Sequence, residues 1–187
     1  MKENSCIFCF EKNVIFSKIL KREYGFCSSC GGVFVKKSDL IPEFEQKNRY
    51  LLHNNDLNNS GYKKFLENFI NPVLEFVKNN DAISENFSIF DFGSGVKPCL
   101  CELLEQYKKK NIIPENTSIL NYDKFFAPEN PFIEADLCVC LETIEHFDNL
   151  ESDLLNLSKC VKTGGYCAVG TNLVPKTPLF EKWWYKE

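Results

Sequence analysis

Residues Ser88–Pro98 read SIFDFGSGVKP and decide the fold. The apolar run Ile89, Phe90 and Phe92 is interrupted by Asp91 and ends at Gly93-Ser94-Gly95, after which an amphipathic segment starts at Pro98. This order predicts a buried strand, a tight glycine turn and a helix. Glycine at the turn removes the Cβ atoms that would hold a nucleotide-like ligand off the backbone. A carboxylate at the strand tip can accept hydrogen bonds from hydroxyl or ammonium groups. The expectation is an adenosine-type cofactor at the C-terminal edge of an open α/β sheet. A dinucleotide fingerprint, G-x-G-x-x-G, is incomplete here because Pro98 occupies its third glycine position, which disfavours a nicotinamide-dependent oxidoreductase.

The stretch DFGSG resembles motif I of the class I S-adenosylmethionine-dependent methyltransferases, where an acid precedes G-x-G by one residue. That cofactor carries a sulfonium and an ammonium, so an acidic neighbour suits it. Lys97 stands where the family often has a third glycine. Three further stretches fall in the family's order. Ser118–Tyr122 followed by Asp123 resembles the second strand, whose terminal acid binds the ribose hydroxyls; the alternative is a surface Asp after an edge strand. Ala135–Phe147, ADLCVCLETIEHF, resembles the fourth strand and its E-H turn. Lys162–Gly170, KTGGYCAVG, resembles the turn into the fifth strand. The resemblance covers residues 86–172 and implies a Rossmann-like, mostly parallel sheet with flanking helices. It assigns Asp91, Gly93, Ser94, Gly95, Asp123 and Glu142 to the cofactor.

At the N-terminus, Cys6-x2-Cys9 and Cys27-x2-Cys30 are separated by seventeen residues. Two such turns can present four thiolates tetrahedrally to one Zn²⁺. Two disulfides or a redox pair are the alternatives; disulfides require an oxidising compartment. The start, MKENSCIFCF, has no long apolar core, so no secretory signal is read and a reducing cytoplasm is expected. Four thiolates leave no open position, so the zinc is expected to be structural, and so small a segment would need it to fold. The remaining cysteines, Cys99, Cys101, Cys138, Cys140, Cys160 and Cys167, lie in apolar patterns and read as small hydrophobes.

The 187 residues leave room for one α/β domain with a small appendage, and 44% hydrophobic content with 17 Phe supports a real core. A net charge of −4 argues against a broad electrostatic grip on nucleic acid. No segment reaches the length of a membrane span. The expected organisation is a zinc ribbon over 1–36, a polar connector over 37–59 and the cofactor-binding core over 60–187. Pro42 is expected to break any long helix in the connector. Tyr62, Phe65, Leu66, Phe69, Ile70, Val73, Leu74 and Val77 recur at helical spacing, capped by Ser60 and kinked or restarted at Asn71-Pro72. Further helices are expected over 98–109 and 149–161. Residues 124–136 read as a loop with at most a short third strand. Since little chain follows the fifth strand, the sheet is expected to be reduced, or the chain to continue past Glu187.

Methyl transfer is an in-line displacement in which the protein orients the acceptor and removes a proton. His146, with Glu142 and Glu145 beside it after the fourth strand, is the candidate general base; packing or capping is the alternative. His53, within Arg49–Asn55, could belong to a lid or to a solvated linker. Phe125-Phe126 could sandwich an adenine or belong to the core. Trp183-Trp184-Tyr185 could cover the substrate mouth or pack on a further segment. A four-cysteine ribbon joined to such a core is similar to bacterial sugar C-methyltransferase-like proteins, and somewhat to zinc-containing rRNA guanine methyltransferases. The implied function is methyl transfer to a small molecule. RNA methylation, or a non-catalytic zinc-ribbon binding module on a degenerate methyltransferase fold, are the alternatives.

Overall fold

The computed structural model describes residues 5–52, 55–175 and 179–183. His53, Trp184 and Tyr185, which carried expectations, lie outside the described residues. The chain divides into two compact units, Met1–Glu43 with Asn172–Glu187, and Phe44–Thr171.

The first unit is built on β1 (Val14–Ile19), β2 (Arg22–Cys27) and β3 (Val33–Val35), an antiparallel sheet in the order β1-β2-β3. Leu20 and Lys21 close the first hairpin, with Leu20 at φ +56. Phe34 is met edge-on by Phe8 and Phe16, each 6.1 Å away, and Gly25 beneath it leaves the space a Cβ would take from that ring. Tyr24 and Phe26 both pack edge-on against Phe180, at 5.1 and 5.4 Å. Phe180 is buried, so the tail contributes to the ribbon's core, whereas the sequence had grouped it with the cofactor-binding core.

In the second unit, α1 (Glu43–Tyr50) follows Pro42 directly. Pro42 stands between a 3-10 turn over Lys37–Asp39 and α1, so no helix runs through it, and its fixed φ suits the start of α1. α2 (Ser60–Asn79) is capped by Asn59, not Ser60: the Asn59 side chain accepts from the amides of Gly61 and Tyr62. The helix runs continuously through Pro72, so it does not restart at Asn71-Pro72. Its buried face, Leu66, Ile70, Leu74 and Val77, keeps its register on both sides of the proline. An interior proline costs about 3 kcal/mol. Four buried aliphatic side chains, at about 1.5–3 kcal/mol each, outweigh that.

The sheet comprises β4 (Ser88–Phe92), β5 (Ser118–Tyr122), β6 (Ala135–Leu141) and β7 (Val161–Gly170), all parallel, in the order β5-β4-β6-β7. Helices α3 (Cys99–Lys109) and α4 (Leu150–Ser158) make the crossovers. The alternation of β4 sorts the two faces. Ile89 packs with α2 and α3, joined by Leu137 and Val139 of β6. Phe90 and Phe92 pack on the other face with Cys138, Cys140 and Leu157 of α4. Every residue of β4 is buried, as befits a central parallel strand. Residues 124–134 contain no strand; the isolated bridge Asp123–Ala127 is what forms there. β7 begins at Val161, which the sequence had placed on the preceding helix, and passes through the expected turn at Gly164-Gly165. Gly164 at φ +82 and a register shift against Ala135–Leu137 absorb the irregularity. No helix among the described residues is long and apolar enough to cross a membrane.

At the N-terminal edge of the sheet a polar staple joins three strands. One carboxylate oxygen of Asp136 accepts from the Ser88 amide (2.8 Å), the Ser88 hydroxyl (2.6 Å) and the Lys162 ammonium (2.9 Å). Burial pushes the Asp136 carboxyl up, but these partners prevail and hold it below the ordinary range.

Candidate cofactor cleft and metal centre

From β4 the chain crosses to β5 on one side, and from β6 to β7 on the other. The point where the strand order reverses, at which open α/β sheets bind their ligands, therefore falls between β4 and β6 at their C-terminal ends. Gly93-Ser94-Gly95 leaves β4 at this point.

The loop is stitched to both neighbours. The amides of Gly93 and Ser94 donate to the Tyr122 carbonyl (2.8 and 3.1 Å), and the Gly95 amide donates to Asp123 Oδ2 (2.9 Å). Asn121 Nδ2 donates to Ser94 Oγ (2.9 Å). On the β6 side, Thr143 Oγ1 donates to the Gly93 carbonyl (3.2 Å) or the Leu141 carbonyl (3.0 Å). The two glycines have different reasons. Both have positive φ, +86 and +73. A Cβ on Gly93 would lie 2.2 Å from the Thr143 side chain, so Gly93 is required for close packing, while a Cβ on Gly95 would meet nothing within 4 Å. Gly95 thus leaves a bare stretch of backbone facing open space, the kind of surface a planar ligand can approach.

The two acids of the motif come to the same edge but differ in their hydrogen bonding. Asp123 is buried, and its Oδ1 accepts from the amides of Phe125 (2.8 Å) and Phe126 (3.1 Å). A carboxylate has about four acceptor sites. Three are filled from within the chain, and Asp123 can take one further donor, on Oδ2. Asp91 lies on the α2/α3 face, buried, and the thiol of Cys101 at 3.8 Å is the one hydrogen-bond donor to its carboxyl among the described residues. Burial first, and the nearby Asp123 charge, push Asp91 up to about 7, against the weak help of that thiol. A cation beside it would relieve this penalty.

The β6 side holds the remaining candidates. Glu142 has φ +49, an uncommon conformation for a glutamate, and its amide donates to the Gly170 carbonyl at 2.7 Å. Glu145 and His146 follow in an exposed 3-10 turn over Ile144–His146, tied by the His146 amide to the Thr143 carbonyl. The His146 ring meets Tyr50 edge-on at 5.5 Å, and Tyr50 packs on Phe125 at 5.7 Å. Phe125 is buried in this contact. Burial, with Asp123, Glu145 and Asp148 nearby, raises the Tyr50 phenol and keeps it neutral. Lys124 donates to Gln46 Oε1 (3.1 Å) and Asp148 Oδ2 (2.9 Å), while Gln46 Nε2 donates to Asp148 Oδ1 (3.1 Å). This closed triad fastens α1 to the segments after β5 and β6.

The sequence reading missed Thr143, the Asn121 contact and the Lys124–Gln46–Asp148 triad, whereas Tyr50 belongs to the Arg49–Asn55 stretch read as a lid or a linker. Asn121 was legible, since a strand puts positions 121 and 123 on one face. Contacts to α1 had no sequence signal. Lys97 forms an ion pair with Asp56 at 3.0 Å, which fastens the glycine loop to the segment before α2.

In the other unit, the sulfur atoms of Cys6, Cys9, Cys27 and Cys30 all lie within 4.8 Å of one another. Cys6–Cys30 and Cys9–Cys27 are each 3.6 Å apart. Zinc–sulfur bonds of about 2.3 Å in a tetrahedron place sulfur atoms about 3.8 Å apart, so the set fits a zinc-sized ion. The Phe8 amide donates to the Cys6 sulfur at 3.4 Å. Backbone amides, that of Cys30 first, lower the Cys27 thiol, while Cys9 and Cys30 are raised by burial and by their neighbouring thiols; a cation would be needed to hold all four as thiolates. After the second pair Gly31 takes φ +73, whereas after the first it is Phe10 that takes φ +63. Four cysteines so arranged can hold a structural metal such as zinc, with Cys6, Cys9, Cys27 and Cys30 as its ligands.

The chain matches no family model and no curated protein.

Proposed function

We propose that the chain is an S-adenosylmethionine-dependent methyltransferase acting on a small molecule, a sugar or another metabolite. The observation that carries this reading is the union of Asp91, the Gly93–Gly95 loop and Asp123 at the C-terminal edge of a parallel sheet. The residues fit such a cofactor on two counts: Gly95 leaves its loop bare, and among the described residues the buried Asp91 carboxyl has no cationic partner. S-adenosylmethionine, when bound, supplies a methyl group activated on a sulfonium. Gly93, Ser94 and Gly95 offer it backbone surface. Asp91 ionises beside its cationic end. Asp123 accepts a single ribose hydroxyl on Oδ2. Glu142 lines the β6 side. His146 takes the acceptor's proton on an imidazole nitrogen, and Glu145 beside it stabilises the imidazolium.

The acidic balance favours a small acceptor over a polyanion, and ten free thiols suit a reducing, cytoplasmic setting. The zinc holds the ribbon's fold and takes no part in the chemistry, because four thiolates complete its shell.

A second reading has its own observation. The amides of Gly93, Ser94 and Gly95 all bond within the chain, which suits a degenerate fold serving as a binding module. Calorimetric titration of the zinc-loaded chain with S-adenosylmethionine separates the two. The methyltransferase reading expects saturable one-to-one binding; a folded sample that evolves no heat of binding supports the module instead.

A further inference from the structure

Cys138 and Cys167 are register partners on the parallel strands β6 and β7, so their side chains leave the same face of the sheet. That face is the one α4 packs against, where Cys138 and Cys160 are fully buried. Cys167, by contrast, is exposed. Cys160 and Cys167 are the thiols that neighbour Cys138 closely enough to perturb it. Cys140, two residues on, has Val169 opposite it and so has no thiol partner across the strands.

We propose that Cys167 and Cys138 form a site of reversible thiol oxidation, with exposed Cys167 receiving the oxidant and buried Cys138 resolving it. The oxidant class is a hydroperoxide. Its oxygen passes to the Cys167 sulfur, giving a sulfenic acid as the O–O bond breaks and water leaves. The Cys138 sulfur then attacks the sulfenyl sulfur. The S–O bond breaks, and hydroxide departs with the Cys138 proton as a second water. Two thiols and one hydrogen peroxide become one disulfide and two waters.

Three features favour this pair. Adjacent strands stand about 4.8 Å apart, within the roughly 4.4–6.8 Å that a disulfide spans between Cα atoms. β7 is an edge strand, so it can yield toward β6 without displacing a further neighbour. The neighbouring Cys138 thiol also lowers Cys167 against the effect of burial, which favours the thiolate at the exposed sulfur. Cys160 competes less well, because its own thiol donates to the Asn156 carbonyl at 3.3 Å and it lies buried.

The test treats the reduced, zinc-loaded full chain with hydrogen peroxide, blocks free thiols with N-ethylmaleimide and maps the peptides by mass spectrometry. The expected product is a linked pair of peptides carrying Cys138 and Cys167, two hydrogens lighter than their sum and separated again by dithiothreitol. Cys167→Ser should abolish the link and leave Cys138 alkylated. Cys138→Ala should leave a Cys167 sulfenic acid that dimedone traps; if this buried substitution prevents folding, the exposed Cys167→Ser variant still decides. A Cys138–Cys160 link with Cys167 alkylated, or Cys167 oxidised while Cys138 stays alkylated in the native chain, overturns the proposal.

Discussion

Replacing Asp123 with asparagine tests how the glycine loop is held. The carboxylate serves three amides: Gly95 on Oδ2, and Phe125 and Phe126 on Oδ1. An asparagine keeps one carbonyl oxygen. With that oxygen toward Phe125 and Phe126, its NH2 faces the Gly95 N–H, donor against donor. The variant then loses one charge-assisted bond outright and weakens two others. Removing one partner of a hydrogen bond to a charged group costs about 1.5–3 kcal/mol, which is the expected loss for Asp123→Asn. Asp123→Ala strands all three amides and should cost about 3–5 kcal/mol. In urea, with a slope of about 2 kcal/mol per molar, the asparagine variant should unfold about 1 M earlier than the native chain. Amide exchange adds a local readout: the Gly95 amide should lose protection in Asp123→Asn while those of Phe125 and Phe126 retain theirs. A shift under about 0.5 kcal/mol, or an alanine variant no worse than the asparagine, would refute the three-bond account. Because the loss appears without any ligand, it separates Asp123's structural work from its proposed contact with ribose.

Cys27→Ser should take zinc content from one ion per chain to near zero and unfold the ribbon, read by metal analysis and by the amide signals of residues 14–35; full metal content would sink the four-thiolate centre. Asp91→Asn should flatten a pH dependence. A buried carboxyl raised to about 7 adds stability below the ordinary carboxylate pKa that is lost as pH rises through 7, so the variant should gain on the native chain at pH 8, and an unchanged slope would contradict the burial argument. Ser88→Ala should cost about 1 kcal/mol at neutral pH. That loss should fade in acid as Asp136, held below the usual range, takes its proton. Equal urea midpoints for the two chains at pH 7 would remove the staple.

The course of β4, α3 and β5 was legible because each carries an unbroken period: alternation sorts Ile89 from Phe90, and helical spacing aligns Leu100, Leu103, Leu104 and Tyr107. The four cysteines were equally plain, since close-set pairs dictate a compact sulfur cluster. The restart read at Pro72 misled because local propensity cannot weigh the burial of Leu66 and Leu74 on either side of it. Asn59 took the cap from Ser60 because the two differ by one position, and only backbone geometry selects between them. The tail misled for another reason. Phe180 finds its partners at Tyr24 and Phe26, more than a hundred residues earlier, and no periodicity announces such a contact. At the C-terminal edge of the sheet, the strand-tip acids could be read from the sequence, but their hydrogen bonding could not. That Asp123 spends three acceptor sites on its own loop, while Asp91 has one weak thiol, follows from the fold.

The most direct test of the cofactor reading is a crystal structure of the zinc-loaded chain with S-adenosylhomocysteine. It should place the nucleoside over Gly93–Gly95, one ribose hydroxyl within hydrogen-bond distance of Asp123 Oδ2 and the amino end beside Asp91. A ligand bound elsewhere, or a glycine loop closed over by side chains, would contradict it.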